Sequence, residues 1–97
     1  MKLTLLHPIP VGKTEIASLT FREYTTAGDY LAFDRSGGVS QTIALIANLT
    51  GTDEEVIKRL HGGDYKRAKS LADKLLDQDE KDAEGPAAEG EDAGTKK

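Results

Sequence analysis

The sequence predicts an α+β fold: an N-terminal β-hairpin, then about four short helices, then a disordered acidic C-terminal tail. Three observations carry this reading. Apolar residues near the N-terminus recur with a period of two, the middle of the chain alternates capping residues, apolar stripes at helical spacing and glycines, and residues 79–97 contain no apolar side chain larger than alanine.

The hairpin comes first. Residues 2–6 read Lys-Leu-Thr-Leu-Leu, and residues 14–23 place Ala17, Leu19 and Phe21 on one face with Ser18, Thr20 and Arg22 on the other. Pro8 and Pro10 keep the intervening backbone extended and remove two ladder donors. Gly12 can take the positive φ needed in a tight turn around Val11 to Lys13.

After Tyr24 the period changes. Thr26 with Asp29 forms a capping box, with Asp in place of Glu, for a first helix through Tyr30, Leu31 and Phe33 that ends before Gly37 and Gly38. Ser40 is the expected cap of a second helix, apolar almost all round from Ile43 to Leu49 and stopped by Gly51, which makes it the most buried element. Thr52 and Glu55 read as another capping box, opening a third helix with Val56, Ile57 and Leu60 that stops at Gly62 and Gly63. Asp64 then caps a fourth helix. Its apolar stripe is Tyr65, Ala68, Leu71 or Ala72, and Leu75, with Lys66, Arg67, Lys69, Asp73 and Lys74 outside. Order is expected to end near Gln78, which gives a domain at 1–78 and an acidic tail at 79–97.

With 97 residues the chain builds one modest core and no second domain. It has no cysteine, so disulfides, thiolate metal sites and cysteine nucleophiles are excluded. The first eleven residues resemble neither a signal peptide nor a membrane span, which points to a soluble intracellular protein. Of the net charge of −4, residues 77–97 hold −5, from eight acids against three lysines, and residues 1–76 hold +1. A nearly neutral domain offers no basic field for nucleic acid.

Each candidate for chemistry has a simpler role. Gly12-Lys13-Thr14 ends like a phosphate-binding loop, but His7 stands where the first glycine belongs, so Lys13 reads as a turn residue. His7 and His61 lie in different elements with no ligand partner at metal spacing, and His61 reads as a residue at a helix C-terminus. Asp53, Glu54 and Glu55 sit in a helix first turn, where acids are favoured without catalysis. Asn48-Leu49-Thr50 matches a glycosylation acceptor, but inside an apolar helix. Thr42 to Leu60 has the outline of a helix-turn-helix, the alternative function being a small DNA-binding regulator; its acidic residues 53–55 would meet phosphate with like charge. The sequence therefore assigns no catalytic, cofactor-binding or metal-binding residue, and the chain reads as no enzyme.

Several segments together point to a family. The proline-containing apolar start ending in Gly12-Lys13, the strand leading into Arg22, the Gly28-Asp29-Tyr30-Leu31 segment, and Leu45 to Gly51 followed by Glu55 and Ile57 resemble the Mu-like phage tail assembly chaperones of contractile-tailed phages. The resemblance covers residues 3 to about 76 and leaves the acidic tail outside. It implies a non-catalytic chaperone in the host cytoplasm, absent from the mature virion. Such a protein binds the tape measure protein, keeps it soluble until the tail tube polymerises around it, and meets the tail tube protein or its own copies; no cofactor, nucleic acid or membrane is implied. The resemblance also implies a longer product made by ribosomal frameshifting, for which Thr95-Lys96-Lys97 permits an adenine-rich slippery codon run.

Overall fold

The computed structural model describes residues 1–34 and 37–84. Two strands, β1 (Lys2–Val11) and β2 (Thr14–Thr20), form an antiparallel hairpin, followed by α1 (Ala27–Phe33), α2 (Gly38–Thr50), α3 (Glu54–Ile57) and α4 (Gly62–Glu84). This is the α+β order that the residue pattern predicts.

The hairpin closes on Gly12, whose φ of 62° is the left-handed conformation that a side chain disfavours. Its ladder pairs Lys2 to Thr4 with Thr20 to Ser18 and Ile9 to Val11 with Ile16 to Thr14, and the register breaks between Thr4 and Ile9. There β1 passes Leu5, Leu6, His7 and Pro8 while β2 passes only Ala17, so β1 bulges. The bulge also shifts the side-chain phase. Leu19 and Phe21 face the core as expected, but Ala17 is exposed and Ile16 turns inward instead.

In α1, Thr26 accepts from the Asp29 amide while the Asp29 carboxylate accepts from the Thr26 amide, the reciprocal box read from the sequence. Three other caps differ from expectation. Gly37, not Ser40, precedes α2, and no side chain caps it. Asp53 precedes α3 without a capping bond, and Thr52 instead donates its hydroxyl to the Thr50 carbonyl. The third helix is also a single turn, Glu54–Ile57, short of Leu60. Gly62 and Gly63 do not stop it but open α4, with the Tyr65 amide donating to the His61 carbonyl. Asp64 thus lies within the first turn of α4 and serves a different purpose, described below.

The core joins Leu3, Leu5, Ile9, Leu19 and Phe21 of the hairpin side to Leu45, Ile46 and Leu49 of α2, Ile57 of α3, and Ala68, Ala72 and Leu75 of α4. The middle of α2 is buried through Ala44, Leu45, Ile46, Ala47 and Leu49, as its all-round apolar pattern requires, and Gly51 ends it at a φ of 66°. On α4 the small Ala68 and Ala72 let the helix approach closely, which sets its buried stripe against β1 and α2. Instead of ending near Gln78, the helix runs on to Glu84, and the rest of the tail expected to be disordered, residues 85–97, lies outside the described residues. No helix of the described residues is long and apolar enough to cross a membrane.

Candidate functional site

Two buried carboxylates hold the helices in place. The Asp29 side chain is fully buried and takes a 2.6 Å ion pair from Arg22, a 2.7 Å bond from the Thr26 amide, and the Asn48 side-chain amide. Burial pushes its carboxyl up, but these donors outweigh burial and hold it below the usual carboxylate range. Asn48 is the residue of the glycosylation-like triplet, and here its amide ties α2 to α1.

Asp64 does the same for the bulge of β1. Its Oδ1 accepts the Leu6 amide at 3.1 Å and its Oδ2 the His7 amide at 3.0 Å, while Arg67 donates to Oδ1 at 2.5 Å and to the Thr4 carbonyl at 3.0 Å. Burial pushes this carboxyl up as well, yet Arg67 and the two amides bring it to about 2. Both acids are ionised at neutral pH with their oxygens engaged. That suits an acceptor joining elements, not a group that exchanges protons near pH 7.

The same junction brings the two histidines together. His7 in the bulge and His61 before α4 stack with ring centroids 4.1 Å apart and planes 10° apart. The sequence places them in different elements and His61 at a helix C-terminus; in the fold His61 stands at the start of α4. Among the described residues no group of three or more His, Cys, Asp or Glu side chains could hold a metal ion. Lys13 lies in the hairpin turn, and the Thr14 hydroxyl donates to the Val11 carbonyl across it. Glu54 and Glu55 occupy the first turn of α3, with Glu55 paired to Lys58 at 3.0 Å. As a recognition helix α3 is one acidic turn long, too short to lie along a DNA groove.

The feature that fits a binding role is an apolar trough. α1 turns Leu31 outward, 76% exposed, beside Tyr30 at 41%, and the first turn of α2 presents Val39 at 58%. One concavity is lined by Ala27, Tyr30, Leu31, Phe33 and Gln41, and the next by Phe33, Val39, Gln41, Thr42 and Tyr65. Phe33 and Gln41 line both, so the two concavities adjoin and together run from α1 towards α4. Lys66, Lys69 and Asp73 border its α4 end, Lys69 and Asp73 being paired at 2.9 Å. Single exposed apolar side chains are ordinary; here Tyr30, Leu31 and Val39 are grouped around open concavities with a polar border.

Its α1 wall is anchored by the part of α4 beyond Gln78. Asp79 accepts the Tyr30 hydroxyl at 2.5 Å and also the Thr25 hydroxyl, and this bond, with burial and the charge of Asp79, raises the Tyr30 phenol to about 12. Of the trough residues, the sequence pattern places Tyr30, Leu31 and Phe33 on the first helix and Tyr65 on the fourth, without bringing them together.

A family model described as "Phage tail assembly chaperone proteins, E, or 41 or 14" matches residues 2–77. Neither the curated proteins nor the solved structures contain a match.

Proposed function

The chain belongs to the phage tail assembly chaperone family, and from that premise we propose that it binds the tape measure protein and keeps it soluble until the tail tube polymerises around it. The observation that supports this client is the open apolar trough lined by Leu31, Phe33, Val39 and Tyr65. A tape measure protein is a long, mostly helical chain whose apolar stripes are uncovered before assembly. An amphipathic helix laid in the trough places its i, i+3, i+4 and i+7 residues against these side chains and hides them from other copies. Binding of this kind needs no catalytic residue. It belongs in the host cytoplasm and ends when tube subunits replace the chaperone, so the protein is absent from the mature virion. Tail tube protein is a second partner on this reading. The adenine-permissive Thr95-Lys96-Lys97 end is the proposed place of a frameshift; a coding sequence reading AAG AAG for the two lysines would remove that part of the proposal.

Co-expression with the tape measure protein tests the central claim. The expected result is a higher soluble yield and a co-purifying complex that survives high salt, because apolar burial strengthens where exposed charge pairs are screened. Replacing Leu31 and Val39 with Asp should abolish both effects without unfolding the chaperone, since both side chains are already exposed. Unchanged yield with no co-purification would sink the reading.

A further inference from the structure

The two concavities of the trough carry charge of opposite sign. On the α1 side, among the described residues, Asp34 is the one charge of the lining and no cation pairs with it. Behind the same wall stand Asp79, whose carboxylate accepts the Tyr30 hydroxyl at 2.5 Å, and Glu80. That bond and then burial raise the Tyr30 phenol to about 12, and the charges of both acids add to the rise, so the field at this end is negative.

The α4 side is the reverse. Its lining and border hold Lys66, Lys69 and Asp73; Lys69 and Asp73 pair at 2.9 Å, and among the described residues no acid pairs with Lys66. α2 opens on this concavity at Gly38, and no side chain caps its first turn, so its amide end adds positive potential. Phe33 and Gln41, where the two concavities adjoin, are uncharged.

We propose that the trough selects its client by charge, taking helical segments whose apolar stripe is flanked by Lys or Arg at the end laid against α1 and by Asp or Glu at the end laid against α4. This rests on the helical client proposed above and adds what its polar flanks must be. Leu31, Phe33, Val39 and Tyr65 bury the stripe but do not set which way a segment lies, since an apolar contact has no direction. The charges supply it. A segment turned end for end sets its acids towards Asp34, Asp79 and Glu80 and its bases towards Lys66. Exposed charges add little to affinity, but they decide between partners and between orientations that bury the same apolar area.

Crosslinking within the co-expressed complex with the tape measure protein tests this. A photo-crosslinking residue is placed at Ala27, on the α1 side, in one chain and at Ser70, on the α4 side, in another; both positions are exposed. Client residues captured from Ala27 should lie beside Lys or Arg and those captured from Ser70 beside Asp or Glu, at opposite ends of the same apolar segments. Lys66→Glu should lower the client retained at low salt about threefold, Lys66→Arg should retain it, and the loss should vanish in about 0.5 M salt. Circular dichroism checks that Lys66→Glu folds, and if it does not, the crosslinks decide alone. Captured residues with the same charge around them from both positions, or with the opposite assignment, overturn the proposal, as does a folded Lys66→Glu chain that retains client undiminished. Those outcomes leave the client itself standing, whereas absence of any complex with the unaltered chain removes the client and this selection together.

Discussion

Asp29 and Asp64 are the same residue in the same state, buried, ionised and paired with an arginine, yet they are built on opposite plans. Asp29 bonds first to its neighbour Thr26, three residues back, and only then recruits Arg22 and Asn48. Asp64 has one local partner, Arg67, and spends its other bonds on Leu6 and His7, more than fifty residues earlier. One acid is a helix cap extended into a tertiary joint. The other is a tertiary joint alone, placed at a helix start where a cap would be expected. A residue's type and spacing announce its local bonds well, and say nothing about where its carboxylate reaches across the fold.

The largest effect should follow from breaking the joint with more donors. Asp29→Ala leaves four donors, Arg22, the Thr26 amide and hydroxyl and the Asn48 amide, without their acceptor and should cost about 3 kcal/mol in urea unfolding. Asp64→Ala frees two bulge amides and a half-exposed arginine, and should cost about 2 kcal/mol, with loss of exchange protection confined at first to Leu6 and His7. If Asp64→Ala proved the more damaging, the bulge and not the α1 cap would be the main joint.

Acid sharpens the same contrast. A carboxyl whose pKa falls on folding contributes stability above its unfolded value and loses that contribution as pH drops through the folded one. For Asp64 that window runs from 3.8 down to about 2. Stability measured across this range should fall with pH in the unaltered chain, and less steeply in Asp64→Asn. Smallest of all should be Asp79→Ala, which removes an acceptor shared by Tyr30 and Thr25 and should cost about 1 kcal/mol or less. Its clear signature is spectroscopic: the Tyr30 phenol, raised to about 12 beside Asp79, should titrate nearer its ordinary value of 10. An unmoved ultraviolet titration would mean that the end of α4 does not hold α1.

Much of the fold was legible because its signals are local. The Thr26–Asp29 box, Gly12 in the turn, Gly51 after α2 and the apolar run from Ala44 to Leu49 each declare themselves within a few residues. The misreadings share a cause. Gly62 and Gly63 look like a stop and Asp64 like a cap, but both glycines lie inside α4 and the Asp64 carboxylate, in its first turn, serves the amides of the β1 bulge. Order past Gln78 was illegible because Asp79, in an acidic run, gains its role only when Thr25 and Tyr30 are brought beside it. The trough was mostly illegible too: Leu31 and Phe33 of α1, Val39 of α2 and Tyr65 of α4 come together only in the fold, and only packing decides which apolar side chains a small core leaves outside.

By itself, then, the sequence determined the order of hairpin and helices, the buried face of α2, and a chaperone resemblance that the family match over residues 2–77 bears out. Periodicity, caps and glycines act over one or two turns of chain, so one dimension suffices to read them. The tertiary structure alone decided that His7 meets His61 and that Asp64 seals the edge of β1. These follow from how a modest core closes. The backbone groups it strands must find partners wherever the fold brings them, and that is settled only in three dimensions.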